Sequence, residues 1–148
     1  MNNRVSVLVF IIWLIMPLAK IVADRSNIPR SREPTLSECS ELMHISFPRK
    51  TTLVNSRQIY GMDNSIILKI EIETKDMKSL IEKSPFKGTE LSENRRFVNR
   101  NPRFDWWHPD SVKTFRSGKV CFKDNSCLCV LFDLDREGRI FVYLEWFI

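Results

Sequence analysis

Residues 65–73, SIILKIEIE, alternate without a break: Ile66, Leu68, Ile70 and Ile72 fall on one side, and Ile67, Lys69, Glu71 and Glu73 on the other. A period of two with one apolar side predicts a strand of an antiparallel sheet whose second face is mostly wet. TTLVNSRQIY (51–60) precedes it as another strand, joined by the turn-forming GMDN (61–64). Near the C-terminus, KVCFK (119–123), CLCVLFDLD (127–135) and RIFVYLEWFI (139–148) are rich in β-branched and aromatic residues, which predicts three more strands. The last of them is apolar on both sides, so it belongs inside the sheet and not at an edge.

Two stretches change period. Thr35 with Glu38 three residues on forms a capping box, and Leu36, Cys39, Leu42 and Met43 follow at helical spacing, stopping before Pro48. Thr74 is placed to cap KDMKSLIEK, whose Met77, Leu80 and Ile81 make a second stripe that Ser84-Pro85 ends. The expected fold is α+β: a single domain at residues 35–148, a mostly antiparallel sheet of about five strands with two short helices on one face. Residues 24–34, DRSNIPRSREP, are polar, contain two prolines and show no apolar period, so they read as a flexible tether.

The first 23 residues have a different character. Arg4 is followed by VSVLVFIIWLIMPLA, Val5 to Ala19, and then by the small residue Ala23. This is the order of a secretory signal peptide, with cleavage expected after Ala23. The alternative is an uncleaved membrane anchor at residues 5–23, disfavoured because Lys20 interrupts the run and fewer than ~18 apolar residues span a bilayer poorly. Either way the chain is expected outside the cytoplasm, periplasmic or secreted, and meets a membrane only if the segment is retained.

The 148 residues carry 23 Lys or Arg against 18 Asp or Glu, +5 formally. Loss of Arg4 and Lys20 with the signal leaves 21 against 18, or +3. So small a surplus does not argue for nucleic acid. It is unevenly spread, however. Residues 92–119 hold seven cations (Arg95, Arg96, Arg100, Arg103, Lys113, Arg116 and Lys119) against three acids. Most of that segment falls within residues 84–114, which have no sustained period. A connection of this length is usually functional or disordered.

Cys39, Cys121, Cys127 and Cys129 all lie in the part expected to be exported, and four cysteines in an oxidising compartment suggest two disulfides. Three pairings are possible. Cys121 and Cys127 lie symmetrically about Asp124 and would face each other across a hairpin turn, leaving Cys39 for Cys129. That second bridge would close a long loop, an effect of about 4 kcal/mol in the chain-entropy model. No metal site is expected, because Cys127-x-Cys129 lacks zinc-ligand spacing. No cofactor is implied.

Candidate chemistry is sparse. DLDREG (133–138) opens like a calcium loop, but the twelfth position, where a bidentate acid is required, is Leu144; it reads as a hairpin turn with Gly138 at a positive φ. His44 and His108 are the only histidines, and Cys39 lies five residues from His44, off its helical face. The remaining concentration is FDWWHPD (104–110). As a binding platform it would offer the faces of Trp106 and Trp107, a sugar-stacking arrangement, with Asp105, His108 and Asp110 as polar anchors and Arg103 to draw an anion. As packing, at least one tryptophan caps the core. Adjacent side chains in an extended segment point opposite ways, so at most one ring is free.

The stretches FPRKTTLVN and GMDNSIILKIEIETKDMKSLIEKSPFKG, the later WWHP and the closing VLFDLDREGRIFVYLEWF together resemble a loosely defined group of small exported bacterial proteins of unknown function. The resemblance covers most of residues 24–148 and is one of pattern. It implies an exported α+β domain and brings no catalytic signature and no site residue. Two functions are open on these grounds. One is a non-enzymatic domain that binds an unidentified protein or small ligand through residues 92–114. The other is a small hydrolase-like enzyme using His108 with Asp105 or Asp110.

Overall fold

The computed structural model describes residues 31–61, 64–99, 101 and 103–148. The signal or anchor segment and residues 24–30 of the expected tether lie outside the described residues. β1 (Ser31–Arg32) leads into α1 (Leu36–Met43), β2 (Thr52–Ile59) and β3 (Ser65–Glu73). A 3-10 turn (Thr74–Asp76) runs into α2 (Met77–Glu82), and β4 (Phe115–Cys121), β5 (Cys127–Asp133) and β6 (Arg139–Phe147) complete the chain. The sheet is antiparallel throughout the pairings β1-β2-β3-β6-β5-β4. The doubly apolar β6 is therefore interior, between β3 and β5, as its pattern requires. Among the described residues no helix is long and apolar enough to cross a membrane.

The α+β class holds, but the sheet has six strands and not five. The added strand is β1, at the end of the segment read as a tether, where Ser31 pairs with Ile59 and Arg32 with Gln58. Two polar residues carry no alternation to read; their strand character comes from the partner backbone and from Arg32, which contacts Gln58 and forms a 2.8 Å ion pair with Glu38 of α1. β4 also begins four residues before the expected strand, at Phe115. Gly118 and Ser117 lower the strand signal there, yet both are buried, and a Cβ on Gly118 would come within 2.6 Å of the Leu91 side chain.

Helix α1 starts on the capping box. The Thr35 N–H donates to Glu38 Oε2 at 2.7 Å, and the Glu38 N–H donates to Thr35 Oγ1 at 3.3 Å. Both helices lie on the face formed by Ile66, Leu68, Ile70, Ile72, Leu128, Val130 and Val142, into which α1 sends Cys39 and Met43 and α2 sends Leu80. The opposite face was expected to be wet and is not. Ile67, Cys129, Leu131 and Tyr143 are covered by Val98, Trp107 and Val112 from the irregular segment before β4. The aperiodic stretch thus closes a second core, which local period cannot reveal because its contacts with the sheet are long-range.

The disulfide Cys121–Cys127 is present, joining directly opposed residues of β4 and β5. Cys39 and Cys129 are unbonded, which corrects the expected second bridge. Cys39 belongs to the helix-covered core and Cys129 to the loop-covered one, so the sheet itself separates them. Burial pushes the Cys39 thiol up to about 11 and the Cys129 thiol up to about 12; both act as small apolar groups. Because the bridge encloses a sequence separation of 6, replacing both bonded cysteines by serine is expected to cost about 2 kcal/mol. Chemical denaturation of the variant under non-reducing conditions measures this.

Candidate functional site

The irregular segment is fastened to the sheet at successive points. Ser92 and Ser117 exchange backbone hydrogen bonds of 2.8 and 2.9 Å, and the Phe97 N–H donates to Ser117 Oγ at 3.1 Å, placing the start of the loop on β4. The Asn99 N–H then donates to Glu145 Oε2 of β6 at 2.9 Å. Farther on, Phe104 lies beneath the Arg57 guanidinium of β2, 5.8 Å from its ring centroid. The chain returns over β3, where Lys69 Nζ donates to the Trp106 carbonyl at 3.3 Å. It ends with the N–H groups of Lys113 and Thr114 donating at 2.7 Å each to the two carboxylate oxygens of Asp135. These two bonds hold the Asp135 carboxyl below its usual range.

Trp107 is the fastener at the centre. It is 1% exposed, and its indole N–H donates to the Asn99 carbonyl at 2.7 Å. Its ring meets Tyr143 edge-on at 5.2 Å and Trp106 edge-on at 5.6 Å. The donor is satisfied and the ring is enclosed, so this side chain is packing. Trp106 is half-buried between Phe104, at 5.7 Å, and Trp107. Arg103, Asp105 and His108 are exposed around it. FDWWHPD is therefore one anchoring ring beneath, one partly accessible ring above and a polar rim. Both faces of a sugar-stacking pair are not on offer.

His108 serves through its backbone, whose carbonyl accepts from the Ser111 N–H at 3.2 Å and from Ser111 Oγ at 2.8 Å. No group of three or more His, Cys, Asp or Glu able to hold a metal occurs among the described residues.

Period alone hid several side chains around the loop. Lys69 was placed on the wet side of its strand; instead its ammonium lies 4.4 Å from the Phe141 ring centroid and 5.0 Å from that of Tyr143. Desolvation, and secondarily Arg136, lowers its pKa. Burial pushes the Tyr143 hydroxyl up to about 12. Arg96 stacks 4.2 Å from Phe115 while its guanidinium donates to the carbonyls of Pro109 and Val112. Basic residues at 92–119 are visible in the sequence; that Phe115 would seat Arg96 and Phe147 would seat Lys119 is not, because those rings come from distant strands, whereas Arg95 stacks on its near neighbour Phe97.

Glu145 is held in the loop-covered face, and burial raises its pKa despite the Asn99 N–H. A raised carboxyl pKa means that the folded state binds the proton more tightly than the unfolded chain. This contribution is fully present below the unfolded value, about 4.3, and is lost as pH rises through the folded one. Glu145→Gln is therefore expected to remove a fall in stability that wild type shows across that window. Thermal midpoints of both proteins against pH test this: parallel curves would show that Glu145 does not contribute.

Comparison with models of protein families, with curated proteins and with solved structures finds no match to this chain. The resemblance of pattern to small exported bacterial proteins accordingly supplies no family, and the functional reading rests on the loop.

Proposed function

We propose that the chain is a non-enzymatic binding domain that works outside the cytoplasm and engages its ligand through residues 92–114. The observation that carries this is the division of labour at FDWWHPD. Trp107 locks the loop to the sheet, while half-buried Trp106 and exposed Arg103, Asp105 and His108 face outward. A partly accessible aromatic ring on a rigid support, ringed by polar groups, is the composition of a binding hot spot. The secretory segment expected at residues 1–23 and the Cys121–Cys127 disulfide support a place outside the reducing cytosol. A second reading, hydrolysis centred on His108 with Asp105 or Asp110, has no specific observation in its favour.

Against a ligand found by screening immobilised peptides and oligosaccharides, Trp106→Ala and Arg103→Ala are each expected to weaken binding by about tenfold or more. Neither should lower the thermal midpoint by more than a few degrees. If both variants bind every ligand found as wild type does, the loop is not the binding surface.

A further inference from the structure

The loop-covered side of the sheet has an unusual balance of charge. All seven cation–aromatic contacts among the described residues involve rings of this side, from Phe97, Phe104 and Phe115 to Phe141, Tyr143 and Phe147. Three of the cations are exposed: Arg95 stands 4.8 Å from the centroid of Phe97, Lys119 5.2 Å from Phe147, and Arg136 4.3 Å from Phe141. None of the three, nor exposed Arg103, forms an ion pair with a described residue.

Several nearby acids, by contrast, are engaged by the protein's own groups. Glu145 accepts from Asn99, Asp135 from Lys113 and Thr114, and Asp133 from the Asp135 N–H at 3.0 Å. Glu93 pairs with Arg116 at 3.0 Å, Glu71 with Arg139 at 3.3 Å and Glu33 with Arg57 at 3.0 Å. These acids are thus partnered by the protein's own groups, whereas the four cations have no ion-pair partner among the described residues; Asp105, Asp135 and Glu137 share the exposed surface with them. A guanidinium stacked on a ring keeps its N–H edges free, and those edges fit a carboxylate in two-point contact.

We infer that this rim docks an acidic protein segment, its Asp and Glu carboxylates meeting Arg95, Arg103 and Lys119, with Arg136 over Phe141 near the start of β6, off the line of the crossing. The inference rests on the loop being the binding surface and names the chemistry of the partner. Arg95 and Lys119 lie at the β4 end and Arg103 at the β2 end of the loop's crossing. Those strands are four interstrand steps apart, about 19 Å, which an extended segment of about six residues spans. Several observations favour a peptide over a uniform polyanion. Trp107 is buried, so no pair of open tryptophan faces is offered to a sugar, exposed Asp105 interrupts the positive rim, and the total surplus of +5 is small.

The test uses the full chain and fluorescence anisotropy with labelled probes: an Asp/Glu-rich peptide of about eight residues, its Asn/Gln counterpart, a heparin-type oligosaccharide and phosphatidylglycerol vesicles. The acidic peptide is expected to bind at least about tenfold more tightly than the Asn/Gln peptide. Its affinity should fall steeply between about 0.01 M and about 1 M salt, over which the Debye length shrinks from about 30 Å to about 3 Å. Arg95→Glu combined with Lys119→Glu should reduce that affinity by about tenfold or more, because like charges oppose docking. Lys78→Glu, on exposed α2 at the helix-covered face, should leave it unchanged. Tighter binding of oligosaccharide or vesicles than of acidic peptide overturns the inference, as does an equal loss from Lys78→Glu. If an uncharged ligand binds and depends on Trp106 while the acidic peptide does not bind, the partner class is wrong but the loop remains the site. If no probe and no screened ligand depends on the loop, both readings fall.

Discussion

Trp107→Ala is expected to destabilise the protein by about 3–5 kcal/mol, the range for deleting a large buried aromatic side chain. The indole is 1% exposed and meets Tyr143 on the sheet and Trp106 in the loop. Its loss opens a cavity beneath the loop and leaves the Asn99 carbonyl without the indole donor. The damage should also spread unevenly. With its central fastener gone, the loop is expected to lose amide-exchange protection at Asn99, whose N–H is bonded to Glu145, before the β3–β6 ladder does. Urea denaturation measures the first effect and hydrogen exchange the second. A Trp107→Phe variant separates the two causes, since it keeps most of the ring volume and removes the donor. If Trp107→Ala lowers stability by less than about 1 kcal/mol, the typical effect of a point mutation, the loop is not the lid of a second core.

Phe86→Ala is expected to have an effect of similar size on the other side of the sheet, again about 3–5 kcal/mol. Phe86 is 1% exposed and belongs to the helix-covered core with Val130 and Leu80. It follows Pro85 in the turn after α2, where the Thr89 N–H donates to its carbonyl at 2.9 Å. Gly118 lies beneath: its missing side chain leaves the space that Leu91 fills, with the Phe86 ring 3.7 Å from where a Cβ would stand. Losing the ring should loosen the turn without touching the Trp107 cluster. Unlike Trp107→Ala, Phe86→Ala is thus expected to leave exchange protection at Asn99 close to wild type when conditions hold both variants folded. A loss at Asn99 as large as that of Trp107→Ala would mean that the two cores do not behave as separate faces.

How much was legible follows from where each element's determinants sit. The capping box of α1, the alternation of β3 and the doubly apolar run of β6 are local, a matter of residues two to four apart, and each element forms where its pattern predicts it. Gly138 at φ 79 and Asn125 at φ 68 occupy the hairpin turns that their chain positions suggest. The Cys121–Cys127 bridge is local too, symmetric about its turn. β1 was invisible because two polar residues become a strand only when β2 presents its edge. The start of β4 was hidden by Gly118, which suits the site for its neighbours and not for its own propensity.

The candidate site divides the same way. The sequence by itself determined that a basic, tryptophan-bearing segment without period interrupts a regular scaffold; the expectation that the two adjacent rings point opposite ways assumes an extended segment, whereas residues 105–106 form a turn and the rings meet at 5.6 Å. Only the tertiary structure decided that Trp107 is the buried ring, that Lys69 lies under the loop, and that Cys39 and Cys129 are kept apart by the sheet. The physical reason is the range of the interactions. Period and capping are set by bonds within one or two turns of chain. Which face of a sheet an aperiodic loop covers depends on contacts between residues dozens of positions apart, as between Trp107 and Tyr143, and those come into being only when the sheet is assembled.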